Sequence, residues 1–212
     1  MNELPLYASG ILLSYAAFLL AIASPGPNVL AVMGTSMSVG RPSGMALAMG
    51  IACGSFTWAM LTAFGLSAII ASYAPALIGI KIAGGCYLLY LAFKAFKSAA
   101  NKHDLSANAL SGGKRTPFGY ALRGYMIMMT NPKAALAWVA IIAIGLKDGA
   151  PLWVAAAIVL GTFIMSVIIH ALYAIAFSTP RMVKLYSNAR RKIQFAFGGF
   201  FTFAGLRILL SR

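Results

Sequence analysis

The sequence predicts an all-α polytopic membrane protein: six transmembrane helices arranged as two inverted three-helix repeats, with the first and fourth helices broken. Three observations carry the prediction. Long apolar runs are free of charge, the basic residues gather between them, and the chain matches itself at an offset of 105 residues.

Of 212 residues, 61% are hydrophobic and 9% charged, against roughly 45–50% apolar in a soluble domain. Residues 4–40, 42–80 and 149–180 contain no Asp, Glu, Lys or Arg. Each run exceeds the roughly 20 residues that cross a bilayer, which excludes a soluble globular core. The net charge of +14 does not form a basic face with interleaved aromatics, so it does not indicate nucleic acid. It follows the positive-inside bias of membrane loops instead. Cys53 and Cys86 lie in separate apolar segments without CxxC spacing and read as small core residues. "AIAS" looks like a cleavage site, but the first residues hold Glu3 and no Lys or Arg. A signal peptide's positive n-region is therefore missing, and residues 1–24 are expected in the mature protein.

Gly, Pro and charge clusters divide the chain into helical units at 13–41, 44–71, 76–97, 118–146, 150–178 and 191–210, with residues 4–12 extending the first. The polar stretch 98–117 reads as a loop. The domain organisation that follows is a first repeat at 1–97, the basic loop 98–117, and a second repeat at 118–212. Placing the loops after units 1, 3 and 5 in the cytoplasm puts most of the 17 Lys and Arg there, with both termini outside. A five-span variant, its first unit half inserted, moves the N-terminus inside.

The repeat is read from residues that chance does not supply freely. At the 105-residue offset Pro27 meets Pro132, Gly40 meets Gly145, Gly44 meets Gly149, and Pro75 meets Pro180. Tyr15 meets Tyr120 and Thr57 meets Thr162. Three spans per copy turn the second copy upside down, which is a transporter pattern when the helices are also interrupted.

The interruptions are "SPGPN" (24–28) and "TNPK" (130–133). About 13 residues flank each break, roughly 20 Å of helix, which puts both breaks near the bilayer midplane. Pro27 and Pro132 suit the first position of a helix, with Gly26 and Asn131 as N-caps. Two half-helices then begin in mid-membrane, with free N–H groups expected around 28–30 and 133–135. Such ends carry about half a positive charge and suit a carboxylate.

Lys133 adds a full charge. An ammonium at the bilayer centre costs about 2.5–3.5 kcal/mol, and the only acids are Glu3, Asp104 and Asp148, near helix ends or in loops. Two readings stand for its compensation: a substrate carboxylate, or the carbonyls that end helix 118–130. The candidate substrate site is Pro25, Gly26, Pro27, Asn28, Asn131, Pro132 and Lys133.

His170 reads either as a proton relay or as an interhelical hydrogen-bonding residue. Lys81 is expected to reach the outer interface along its stem. The glycines of "GRPSG" (40–44) and "GIACG" (50–54) are expected to pack helices within the repeat, and would also serve a homodimer seam. Trp58, Tyr87, Tyr90, Tyr125 and Trp138 read as interior or interface aromatics that could line a pocket. No metal or cofactor is expected. A paired Cys motif, HExxH and a Ser/His/acid set are all missing, so the chain does not read as an enzyme. A cation or metal exporter of related architecture is the alternative, and it lacks buried carboxylate ligands.

"SPGPNVLAVMGTSMSVGRPSGMALAMGIACG", "FGLSAII", "GGCYLLYLAFKAFKS" and "TNPKAALAW" resemble the lysine-exporter type (LysE/RhtB) family of bacterial amino-acid efflux proteins, over essentially the whole chain. The resemblance implies six helices in the inner membrane that export amino acids or derivatives, in exchange for protons. Two positions depart from it. Many relatives carry an acid after the glycine matching Gly54, where this chain has Ser55. Many also end the second motif in a Phe-rich segment, where this chain reads "VAIIAIGL". The first departure removes a proton-coupling acid and a ligand for a cationic substrate side chain.

Overall fold

The computed structural model describes residues 4–23, 26–72, 76–100, 115–146 and 149–210, and among them every long segment is α-helical. The helices are α1 (Leu4–Ala23), α2 (Pro27–Ser38), α3 (Arg41–Ser72), α4 (Ala76–Ala100), α5 (Pro117–Met129), α6 (Pro132–Gly145), α7 (Leu152–Ala176) and α8 (Pro180–Leu210). Spans of membrane length and apolarity occur in α1, α3 and α7; α5 and α6, bent by 65° at their break, qualify together as one more. The protein is a multi-pass membrane protein.

Both breaks fall where proline forces them. Proline has no N–H and clashes with the preceding turn, so Pro27 opens α2 and Pro132 opens α6. The first unit ends earlier than expected, α2 stopping at Ser38 and not at 41, whereas α1 is one uninterrupted helix from Leu4, as the extension over 4–12 expects. Its register explains how it still matches the second break. Gly10 packs on Gly145, Ser14 Oγ donates to the Ile141 carbonyl at 2.9 Å, and Phe18 sits 5.4 Å from Trp138. From Gly10 onward α1 therefore runs antiparallel beside α6, so its C-terminal end lies level with the α6 start. Residues 4–9 overhang. The sixth unit also starts early, because the basic stretch 181–192 continues the helix as α8.

Helix α7 shows which surface faces lipid. Leu160, Ile164, Ile168 and Leu172 recur every fourth residue and are exposed, whereas Ile158, Thr162, Ser166, His170 and Ala174 are buried. Residues four apart share a helix face. The polar side chains thus point inward and the aliphatic ones outward, as lipid requires. Cys53 and Cys86 are exposed as well, which corrects their assignment to the core: against acyl chains a small apolar thiol gains little from burial.

Helix association in lipid depends on close packing more than on hydrophobic burial. Here glycine supplies it. A Cβ on Gly50 would overlap the Ala121 carbonyl, one on Gly124 the Leu47 carbonyl, and one on Gly54 would meet Met128 Cβ at 2.8 Å. These contacts join α3 to α5. The "GIACG" glycines therefore pack between the two predicted repeats and not within one, whereas Gly44 seats Ser36 of α2 within the first. The reason is that α3 meets two small-residue neighbours on different faces. Gly40 and Gly149 take φ of +114° and +73° at the turns into α3 and towards α7.

The main core gathers residues from α1, α2, α3, α5, α6 and α7. Helices α4 and α8 form an antiparallel pair beside it, closed by Gly85 against Gly205, Phe96 against Gly198, and Arg191 Nε donating to the Ala99 carbonyl at 3.1 Å. Readings that depend on Ser24, Pro25, the loop 101–114, the three acids, and the side chains of Lys81 and Tyr87 lie outside the described residues.

Replacing Gly50 or Gly124 with Ala should destabilise the protein by about 1–3 kcal/mol, read as a lower melting temperature in detergent. Gly199→Ala, where the added Cβ meets nothing within 4 Å, should leave that temperature unchanged or raise it.

Candidate functional site

The two breaks meet. Asn131 Nδ2 donates to Asn28 Oδ1 at 3.1 Å, and Asn28 Nδ2 donates to Met128 Sδ at 2.9 Å. A pair 103 residues apart thus ties the start of α2 to the end of α5 and the start of α6. The carbonyl that the second break frees at Met128 accepts from Trp58 Nε1 at 3.3 Å and from the Asn131 amide at 3.3 Å. Trp58 therefore has a structural duty at the break.

The two helix starts are finished differently. Under the 105-residue offset Gly26 corresponds to Asn131, and Asn28 to Lys133. Asn131 Oδ1 accepts from the Lys133 amide at 3.0 Å, and the Asn131 carbonyl accepts from the amides of Ala134 at 2.9 Å and Ala135 at 3.2 Å. The free N–H groups expected at 133–135 are consequently satisfied within α6. The reason is that an asparagine N-cap carries its own acceptor. Gly26 has none: α2 has no side-chain cap, and the Leu30 amide returns to the Gly26 carbonyl. No described residue accepts from the amides of Asn28 and Val29, so the unspent donors of a helix N-terminus belong to α2.

These groups line one cavity of about 50 Å³, room for a few waters. Gly26, Asn28, Asn131, Lys133 and His170 all border it, together with Ser55. Pro27 and Pro132 are exposed and do not line it; they set the helix starts. Pro25 lies outside the described residues. The apolar wall includes Phe18 and Trp138, so Trp138 is both buried core and cavity lining. Tyr90 is exposed under Lys94, whose ammonium stands 5.5 Å from its ring. Tyr125 reaches Thr57 Oγ1 at 3.4 Å. Neither borders the cavity.

Lys133 is partly buried, and its Nζ lies 5.9 Å from the Phe201 ring centroid of α8, within cation–π range. None of the described residues is an Asp or Glu. The charge balance of the cavity is therefore one ammonium and one helix N-terminus, without an acid among the residues described.

His170 is 2% exposed. Its Nδ1 lies 2.9 Å from the Ser166 carbonyl and 3.2 Å from Ser166 Oγ. Among the lining residues not singled out from sequence, Met128 and Ser55 are those whose side chains carry a heteroatom. Met128 gives no sequence signal. Ser55 does: it stands where the family resemblance expects an acid, and that position opens into the cavity. His170, a candidate from sequence, ends the stripe Thr162–Ser166–His170, polar residues spaced by four on an otherwise apolar helix.

Comparison with known proteins adds an independent line. The LysE type translocator family matches residues 19–212. The chain is 27% identical over 198 residues to the threonine efflux protein of Escherichia coli K12, covering 92% of this chain and 94% of that protein. It is equally similar, over the same shares, to the threonine efflux protein of Salmonella typhi. It is 26% identical over 206 residues to the uncharacterized membrane protein YahN of E. coli K12, covering 97% and 90%. No solved structure matches.

The Asn28–Asn131 tie predicts a measurable coupling. In a double-mutant cycle of Asn28→Ala and Asn131→Ala, followed by denaturation in mixed micelles, the interaction energy should be about 0.5–1.5 kcal/mol. Asn131→Ala should cost more alone, because it also removes the α6 cap.

Proposed function

We propose that this chain, which belongs to the LysE type translocator family, is a secondary transporter exporting amino acids or their derivatives across the bacterial inner membrane, with protons as the coupling ion. The observation that carries the reading is the cavity's charge: Lys133 and the uncapped α2 start, with no acid among the described residues. A solute carboxylate is the group that such a positive lining favours. It lies against Lys133 Nζ and the amides of Asn28 and Val29, while Asn131 holds the two breaks in register.

The same balance sets a preference. A second ammonium on the solute would find no carboxylate among the described residues, so solutes with uncharged side chains are favoured over basic ones. The relatives named as threonine efflux proteins support that direction. Among the described cavity residues His170 is the candidate carrier for the coupling proton.

For the transport cycle we take the chain as six spans in two inverted repeats, 1–97 and 118–212, with 98–117 cytoplasmic and both termini outside. Support comes from the helix starts at Pro27 and Pro132, which lie one repeat offset apart, and from the bias of basic residues. Rocking of one repeat against the other then exposes the cavity to each side in turn. A homodimer is compatible with this scheme and not required by it.

Uptake of labelled amino acids into inverted vesicles tests the reading. Threonine and other neutral amino acids should show saturable uptake driven by an imposed proton gradient. Lys133→Met should reduce it at least about ten-fold, ~1.4 kcal/mol, and Lys133→Arg should retain more. Absence of saturable uptake for every amino acid by folded protein, or full activity of Lys133→Met, would refute it.

A further inference from the structure

The carboxylate end of the site leaves the other end of the solute unassigned, and the cavity holds a side chain suited to it. The shorter of the two Nδ1 contacts, 2.9 Å to the Ser166 carbonyl against 3.2 Å to its hydroxyl, assigns the proton to His170 Nδ1, because a carbonyl only accepts. In the neutral ring Nε2 is then a bare acceptor. A doubly protonated ring would put a second cation in a cavity that already holds Lys133, with no acid among the described residues. The ring is therefore neutral in this arrangement.

Nε2 is buried and has no hydrogen-bond partner among the described residues, although His170 borders the cavity. An unsatisfied buried acceptor is costly, and a structural histidine would normally be bonded at both nitrogens. The competing acceptors in the cavity are engaged. Asn28 Oδ1 already accepts from Asn131, and Asn131 Oδ1 from the Lys133 amide. Ser55 can donate as well as accept, so it does not select for a donor.

We propose that His170 is the second half of the solute site, its Nε2 accepting a hydrogen bond from the solute's α-ammonium. The inference rests on the carboxylate reading above and deepens it: the cavity recognises both ends of a zwitterion, donors at Lys133 and the α2 start and a neutral acceptor at His170. This explains how an ammonium is held without a carboxylate among the described cavity residues. One lone pair cannot hold a proton and an ammonium together, so proton carriage and solute binding at His170 exclude each other in time.

The test compares three solutes on purified full-length protein in detergent, by equilibrium binding. L-threonine has carboxylate, ammonium and hydroxyl; L-2-aminobutyrate lacks the hydroxyl; 3-hydroxybutyrate lacks the ammonium. His170→Leu should weaken threonine and 2-aminobutyrate about ten-fold or more and change 3-hydroxybutyrate less than about two-fold. His170→Gln, which can present an amide oxygen, should recover part of the loss. Equal weakening of all three solutes, or weakening of none, would overturn the role of His170 while leaving the carboxylate site standing. Failure of the unmodified protein to bind any of the three would instead refute the amino-acid reading, and this inference with it.

A second measurement avoids altering His170. The chain has two histidines, so a ¹⁵N-histidine spectrum with His103→Gln assigns the other ring. Its unprotonated nitrogen resonance should shift on adding 2-aminobutyrate and stay in place on adding 3-hydroxybutyrate. A resonance that ignores both, or a proton found on Nε2 with solute bound, would overturn the proposal.

Discussion

A fixed positive charge deep in an apolar interior is the constraint on which the rest of this structure depends. Lys133 sits in the first turn of α6, where the helix dipole is also positive. Insertion of an ammonium at such a depth costs about 2.5–3.5 kcal/mol, and none of the described residues is an acid. The fold manages this charge by placing it at a cavity, with an aromatic face of α8 on one side. A cavity admits water or an anionic group, which a close-packed interface would not. The break between α5 and α6 puts Lys133 in the first turn of α6, where it borders that cavity.

The two breaks open on prolines that match at the 105-residue offset, yet their chemistry differs. In α6 an asparagine cap satisfies the first turn's amides, and the following residue but one adds an ammonium. In α2 a glycine leaves the amides open, and the residue matching the lysine is a neutral amide. Each break thus contributes donors in a different form, one as side-chain charge and the other as backbone N–H. Both amide oxygens are already accepting, Asn28 Oδ1 from Asn131 Nδ2 and Asn131 Oδ1 from the Lys133 amide, which limits how far they offset this donor character. Against that surface the bare nitrogen of His170 on α7 is the exception, and a zwitterion is the solute shape that matches such a division.

How much of this could be read beforehand depends on what kind of signal each feature leaves. Proline is unambiguous, so both half-helix starts and the N-cap positions were legible from residue order alone. The extent of α1 was legible too, since nothing between Leu4 and Ala23 breaks a helix and the expected extension over 4–12 is helical. Helix α8, by contrast, outruns its apolar part because basic residues are good helix formers. Partnership was not legible. The tie between Asn28 and Asn131, and the seating of Gly50 on Ala121 of the other half, follow from how helices cross, which spacing within one helix does not encode. The exposure of both cysteines escaped for a different reason: lipid does not penalise a small thiol at the surface.

The measurement that bears most directly on the central claim is an experimental density map of the protein with threonine bound. The account predicts the solute carboxylate within hydrogen-bonding reach of Lys133 Nζ and of the α2 amides at Asn28 and Val29. A map in which the carboxylate lies elsewhere, or in which Glu3, Asp104 or Asp148 of the chain itself is found paired with Lys133, would contradict it.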